Sequence, residues 1–193
     1  MTRPSDRGLP PGLAAPRLAP DAPSPGTKLP SHYEDCFGCG ADHPTGLHLT
    51  TTVADGVAVR SVLTVAGSHQ GAPGLAHGGL LSAAFDEAMG NINWLLGVPA
   101  VTGRLETEFL RPVPVGTALH IHAWCEGTIG RKVLLTAEGR LGQPDGRLAV
   151  RAAAVFVQVN LEHFSTHGRS EDVIAARESR TVQQTERRFE VNP

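Results

Sequence analysis

Residues 74–90 read Gly-Leu-Ala-His-Gly-Gly-Leu-Leu-Ser-Ala-Ala-Phe-Asp-Glu-Ala-Met-Gly, and the run meets no breaker until Gly97-Val98-Pro99. This pattern predicts one helix from about His77 to Leu96, apolar on nearly every side. A helix of that kind must be buried. The segments around it alternate with the period of strands. Residues 46–53 and 56–66 read as a hairpin across Ala54-Asp55-Gly56. After the helix come a strand through Thr102 to Leu110 and alternating runs over 117–127 and 131–141. The turn Gln143-Pro144-Asp145-Gly146 then leads into 147–159. The order is strand, strand, helix, then four strands. That order specifies an α+β fold in which an antiparallel β-sheet wraps around one long central helix.

Composition sets the limits of this domain. Residues 1–30 hold eight of the fifteen prolines without any period and are expected to form a disordered tail. The domain is expected over 31–160. Residues 161–193 form a polar tail that is part helical from Ser170, where Glu171 and Asp172 suit a first turn. A net charge of -2 argues against nucleic acid as a partner. No apolar run reaches the length of a membrane span. Arg3, Arg7 and Arg17 lack the apolar stretch of a secretory signal. Three cysteines do not make a disulfide framework, so a reducing cytoplasm is the expected compartment.

Two carboxylates, Asp86 and Glu87, interrupt the apolar helix, and a carboxylate in such a setting calls for a reason. A buried carboxylate can act as general base for water or as nucleophile. At the start of the helix, Gly78 and Gly79 leave backbone N–H groups open to a developing negative charge. Together these features point to acyl chemistry. His77 can cap the helix or touch a ligand. Arg104, Arg111 and Arg131 are candidates for binding phosphates. Cys36-Phe-Gly-Cys39, with His32 and His43 flanking, has metal-ligand residue types, but one CxxC is a weak signal and twelve residues make a cramped cage. A structural loop with buried thiols is the expectation there, with no metal. His120 and His122 share a strand face with Trp124, which reads as a solvated or interface face.

Ala76-His77-Gly78-Gly79-Leu80, with Asp86 eight residues after Gly78, resembles the hotdog-fold acyl-CoA thioesterases of the phenylacetate-pathway type. So do Cys36-Phe-Gly-Cys39-Gly40 with His43-Pro44-Thr45-Gly46-Leu47, the His69-Gln70-Gly71 loop, and Thr102-Gly103-Arg104-Leu105 through Gly116. The resemblance covers about residues 33–160. It implies hydrolysis of an acyl thioester to acid and thiol, with an acyl-coenzyme A ester as partner and neither metal nor other cofactor. It assigns catalysis to Asp86 rather than Glu87, the oxyanion contact to Gly78, and an orienting role to Thr102. Substrate contacts fall to Gln70, His77 and Gly79, with Arg104 and Arg111 toward the coenzyme. Simple alternation places Thr102 on the wrong strand face unless Gly103 marks a bulge. Gly78 and Asp86 are ~12 Å apart along the helix axis, so a homodimer, or a homotetramer built from two, is expected to complete each site. A hydratase on the same fold and a non-catalytic acyl-thioester binder are the alternatives.

Overall fold

A computed structural model describes residues 9–178. The sheet is antiparallel and six-stranded, in the spatial order β1-β2-β4-β5-β6-β3. Its strands are β1 (Thr50–Val53), β2 (Ala58–Thr64), β3 (Ala100–Phe109), β4 (Ala118–Ile129), β5 (Lys132–Leu141) and β6 (Leu148–Gln158). Helix α1 (Gly78–Gly90) lies in its concave face and touches β2 through β6. Leu81, Ala84, Phe85, Ala88 and Met89 of α1 are buried against Leu63, Ile121, Leu135, Ala137, Val150 and Phe156 of the sheet. Each large apolar side chain buried this completely contributes about 1.5–3 kcal/mol, so the helix is fixed in place along its whole length.

The helix is shorter than its sequence pattern. It ends at Gly90, and a separate turn, α2 (Asn93–Leu96), continues it until Gly97 in the left-handed region (φ 66°). Asn91 makes the break. Its side-chain Nδ2 donates to the Glu87 carbonyl (2.8 Å) and to Glu87 Oε1 (3.1 Å), while the next N–H, of Ile92, reaches back to Met89. A side-chain amide that competes for a helical carbonyl in this way tightens the turn.

From residue 9 on, the Pro-rich segment corrects the expectation of a disordered tail, and residues 1–8 lie outside the described residues. The segment is laid along the domain. Leu29 N–H donates to the Thr51 carbonyl (2.9 Å), Val53 N–H to Thr27 (2.9 Å) and Gly26 N–H to Val53 (2.9 Å), so residues 26–29 cover the free edge of β1. Leu29 is buried. Further out, Ala14 exchanges backbone hydrogen bonds with Thr128 at 2.8 and 3.0 Å, and Ala19 N–H donates to Leu95 (2.8 Å). The prolines preset an extended backbone and leave few N–H groups to satisfy, which lowers the entropy lost when the segment docks. At the other end, α3 (Glu162–His167) and α4 (Ser170–Glu178) follow β6, with Arg169 paired to Asp172 at 2.7 Å. The expected helix from Ser170 is therefore present, and the rest of the polar tail lies outside the described residues. Among the described residues no helix is long and apolar enough to cross a membrane.

Candidate active site

Asp86 sits in the third turn of α1, half-buried, on the side that faces β3. Thr102 comes to it by the bulge that alternation demanded. The register of β3 against β6 shifts between Thr102 and Arg104: Thr102 pairs with the inward Phe156, and Arg104 with Val155. Beyond the shift, Leu105, Thr107 and Phe109 pair with Ala154, Ala152 and Val150, on the same face as Thr102. Gly103 takes the extra position, where an added Cβ would come within 3.0 Å of Val157. As a result the Thr102 hydroxyl donates to Asp86 Oδ1 at 2.7 Å. Burial raises the Asp86 carboxyl above its usual range, the Thr102 hydrogen bond pulls it back, and the Glu87 charge adds to the rise. The carboxylate is more basic than a solvated aspartate and still has an oxygen to offer.

The other end of the helix is built from a tied-down loop. Ala76 N–H donates to Val113, His77 N–H to His69, and Val115 N–H to Gly74, at 2.8–2.9 Å. His77 is the N-cap, and its Nδ1 accepts from Gly79 N–H at 3.0 Å. Of the two roles open to His77, the structure shows capping. It also removes the Gly79 N–H from the donors a ligand could use. Gly78 N–H, the first of the helix, has no acceptor among the described residues. The ring of Phe109 stands over it, 3.4 Å from where a Gly78 Cβ would lie. Gln70 Oε1 accepts from Gly74 N–H (2.7 Å), which folds its amide onto its own loop.

The arginines are not brought to this site. Arg104 lies beyond the bulge on the outer face of the sheet and is ion-paired to Glu106. Arg111 is exposed past the end of β3 and donates to the Leu148 carbonyl. Arg131 occupies the β4–β5 turn. The groove on the outer face, lined by Arg104, Trp124, Glu138 and Arg151, does not include Asp86. A pair missed by sequence reasoning is Ser82 Oγ with Thr107 Oγ1 (3.0 Å), between Gly78 and Asp86 on the same side of α1. Its only signal was Ser82 one turn before Asp86.

A second cluster forms on the neighbouring side of the helix. Glu87, read from sequence as structural, meets the Cys36–Cys39 loop. Cys36 Sγ lies 3.6 Å from Glu87 Oε2, His32 Nδ1 3.2 Å from Glu87 Oε1, and Cys39 Sγ 3.4 Å from His32 Nδ1. His43 is not part of it and packs edge-on against Phe37. The thiols are half-buried rather than enclosed. Fifty-one residues separate Cys36 from Glu87, so spacing gave no sign of the contact.

Comparison with known proteins points to one superfamily. Residues 73–148 match the thioesterase superfamily model. Acyl-coenzyme A thioesterase THEM4 of Bos taurus is 32% identical over 97 residues, which are 50% of this chain and 39% of that protein. The chain thus spans about two-fifths of the length of the curated relatives it matches. The crystal structure of RHA08564, a thioesterase superfamily protein, shares 26% identity over 61% of this chain and 60% of its own, with a TM-score of 0.57. The PaaI protein of the E. coli phenylacetic acid degradation operon shares the fold, at 19% identity over 59% of this chain and 81% of its own, with a TM-score of 0.54. Residues 73–148 are thus similar to the thioesterase superfamily, and the domain has the hotdog fold of its solved members.

Proposed function

We propose that this protein hydrolyses an acyl-coenzyme A ester, or a related acyl thioester, to the free carboxylic acid and thiol. The observation that carries the reading is a half-buried Asp86 held by Thr102 at 2.7 Å on the same helix that presents an unclaimed Gly78 N–H. The similarity to an acyl-coenzyme A thioesterase supports the substrate class. Asp86 takes a proton from water, whose oxygen attacks the thioester carbonyl, or attacks that carbon itself to give a mixed anhydride that water then opens. In either route the carbonyl oxygen gains negative charge, which Gly78 N–H holds, and the C–S bond breaks to release the thiol.

The two groups cannot meet on one helix. Their axial separation of ~12 Å exceeds the reach of one reacting centre. Strand β3 offers a solution. It ends the sheet, and it runs from Thr102, beside Asp86, to Phe109, beside Gly78. Two copies whose β3 edges pair antiparallel about a two-fold axis bring the Asp86 end of one to the Gly78 end of the other. We read the working unit as that homodimer, or a tetramer of two, in a reducing cytoplasm that suits three free thiols.

The test is thiol release from a panel of acyl-coenzyme A esters. Asp86→Asn keeps the shape and loses the base, so kcat should fall by at least ~10²-fold with substrate binding kept. Saturable binding without thiol release by the wild type, across the panel, would make the protein a binder and overturn the reading.

A further inference from the structure

We propose that His32, Cys36, Cys39 and Glu87 form a binding site for one divalent transition-metal ion, most suitably Zn2+, that fastens the N-terminal loop to the central helix. The donor atoms of these four residues all lie within 4.8 Å of one another. A tetrahedral zinc site with ordinary Zn–S, Zn–N and Zn–O bonds has donor–donor edges of roughly 3.3–3.8 Å. The three separations across the cluster, 3.2, 3.4 and 3.6 Å, fall at or close to that range. Two sulfurs, an imidazole nitrogen and a carboxylate oxygen are the ligand types of zinc rather than of calcium or magnesium. Four protein ligands leave no open position, as in a structural rather than a catalytic site.

The surroundings orient the donors. His32 stacks on Trp94 with ring centres 5.9 Å apart. Asn91 Nδ2 donates to Glu87 Oε1. The backbone N–H of His32 points at Cys39 Sγ (3.4 Å), and the Ser31 hydroxyl approaches the same sulfur (3.7 Å). Contacts of this kind hold metal ligands in position. The loop also depends on its glycines. A Cβ at Gly38 would lie 2.3 Å from Glu87 Oε2, and one at Gly40 2.2 Å from the Glu34 carbonyl. Only a chain without side chains there can bring both sulfurs to the carboxylate.

The four groups are electrostatically linked. Burial alone would disfavour the His32 imidazolium, but hydrogen bonds to Cys36 and Glu87 hold it up to about 9. Hydrogen bonding to Cys39 outweighs burial and lowers Cys36 to about 5. Cys39 is pushed up by the same bond and by burial. Burial opposes the Glu87 charge, yet His32 brings that group down to about 2. Thiol and imidazole ligands bind a cation without their protons, so binding should release protons and strengthen as pH rises.

The protein should be produced with zinc in the medium, and its metal content measured after gel filtration. The expected result is one equivalent of zinc per chain, lost in the Cys36→Ser/Cys39→Ser double variant. Stripped wild type should take up Co2+ with the intense d–d bands of a tetrahedral site and a thiolate charge-transfer band. Readdition of Zn2+ should raise its melting temperature and release protons. If the double variant fails to fold, the stripped wild type alone decides. Wild type that carries no zinc, gives no thiolate–cobalt band, and shows the same melting temperature with and without zinc would overturn the site. Octahedral, sulfur-free cobalt spectra would overturn it as well.

Discussion

At the scale of single residues, the Asp86–Thr102 contact makes a directional forecast. Burial raises the Asp86 carboxyl, and the Thr102 hydrogen bond lowers it by favouring the charged form. The proposed hydrolysis needs the ionised carboxylate, so activity should fall as pH drops through its titration. Thr102→Val removes the lowering influence and keeps the shape. The acid limb of the kcat/KM profile should then move to higher pH, and kcat should fall at neutral pH as the carboxylate loses its anchor. An unmoved acid limb would show that Thr102 does not set this titration. Asp86 and Glu87 stood out together because they interrupt an apolar helix, and only the family resemblance favoured Asp86. The contact of Glu87 with Cys36 was not legible, because a partner fifty-one residues away leaves no mark on local periodicity.

At the scale of elements, the sequence foretold the six strands and their order along the chain, and it marked Gly103 as the place where a bulge would bring Thr102 round, since period-two patterning is imposed by a sheet with one covered face. It overran the helix by a turn, because the Asn91 side chain that ends α1 looks no different from any helical polar residue until its partner is seen. It also misjudged the Pro-rich segment. Docking along a sheet edge uses backbone hydrogen bonds and a few anchors such as Leu29, and neither produces an amphipathic period. This error is open to measurement. Leu29→Ala should cost about 2–3 kcal/mol, as for a buried leucine in a core, read by urea unfolding. A variant lacking residues 1–30 should lose more, because it also bares the edge of β1. Unchanged stability in both would return the segment to the status of a tail.

For the whole molecule, the question is how many chains make one site. Asp86→Ala lacks the proposed base. Gly78→Pro lacks the N–H at the first helical position, where proline is tolerated and the preceding His77 already has the extended backbone proline requires (φ −70°, ψ 132°). Each variant alone should be nearly inactive. In a mixed dimer one site carries both lesions and the other carries none. Equal random mixing makes about half of the dimers mixed, so co-refolding should restore about a quarter of wild-type activity. Verified mixed dimers without recovery would show that sites are not shared. The clasp between Ala14 and Thr128 has a consequence of a different kind. Ala14 leaves the ribosome long before Thr128 and finds its partner only when β4 has emerged, so the segment around it must wait outside while the domain is built. Nascent chains stalled before Thr128 should offer that segment to a protease, and finished chains should shield it.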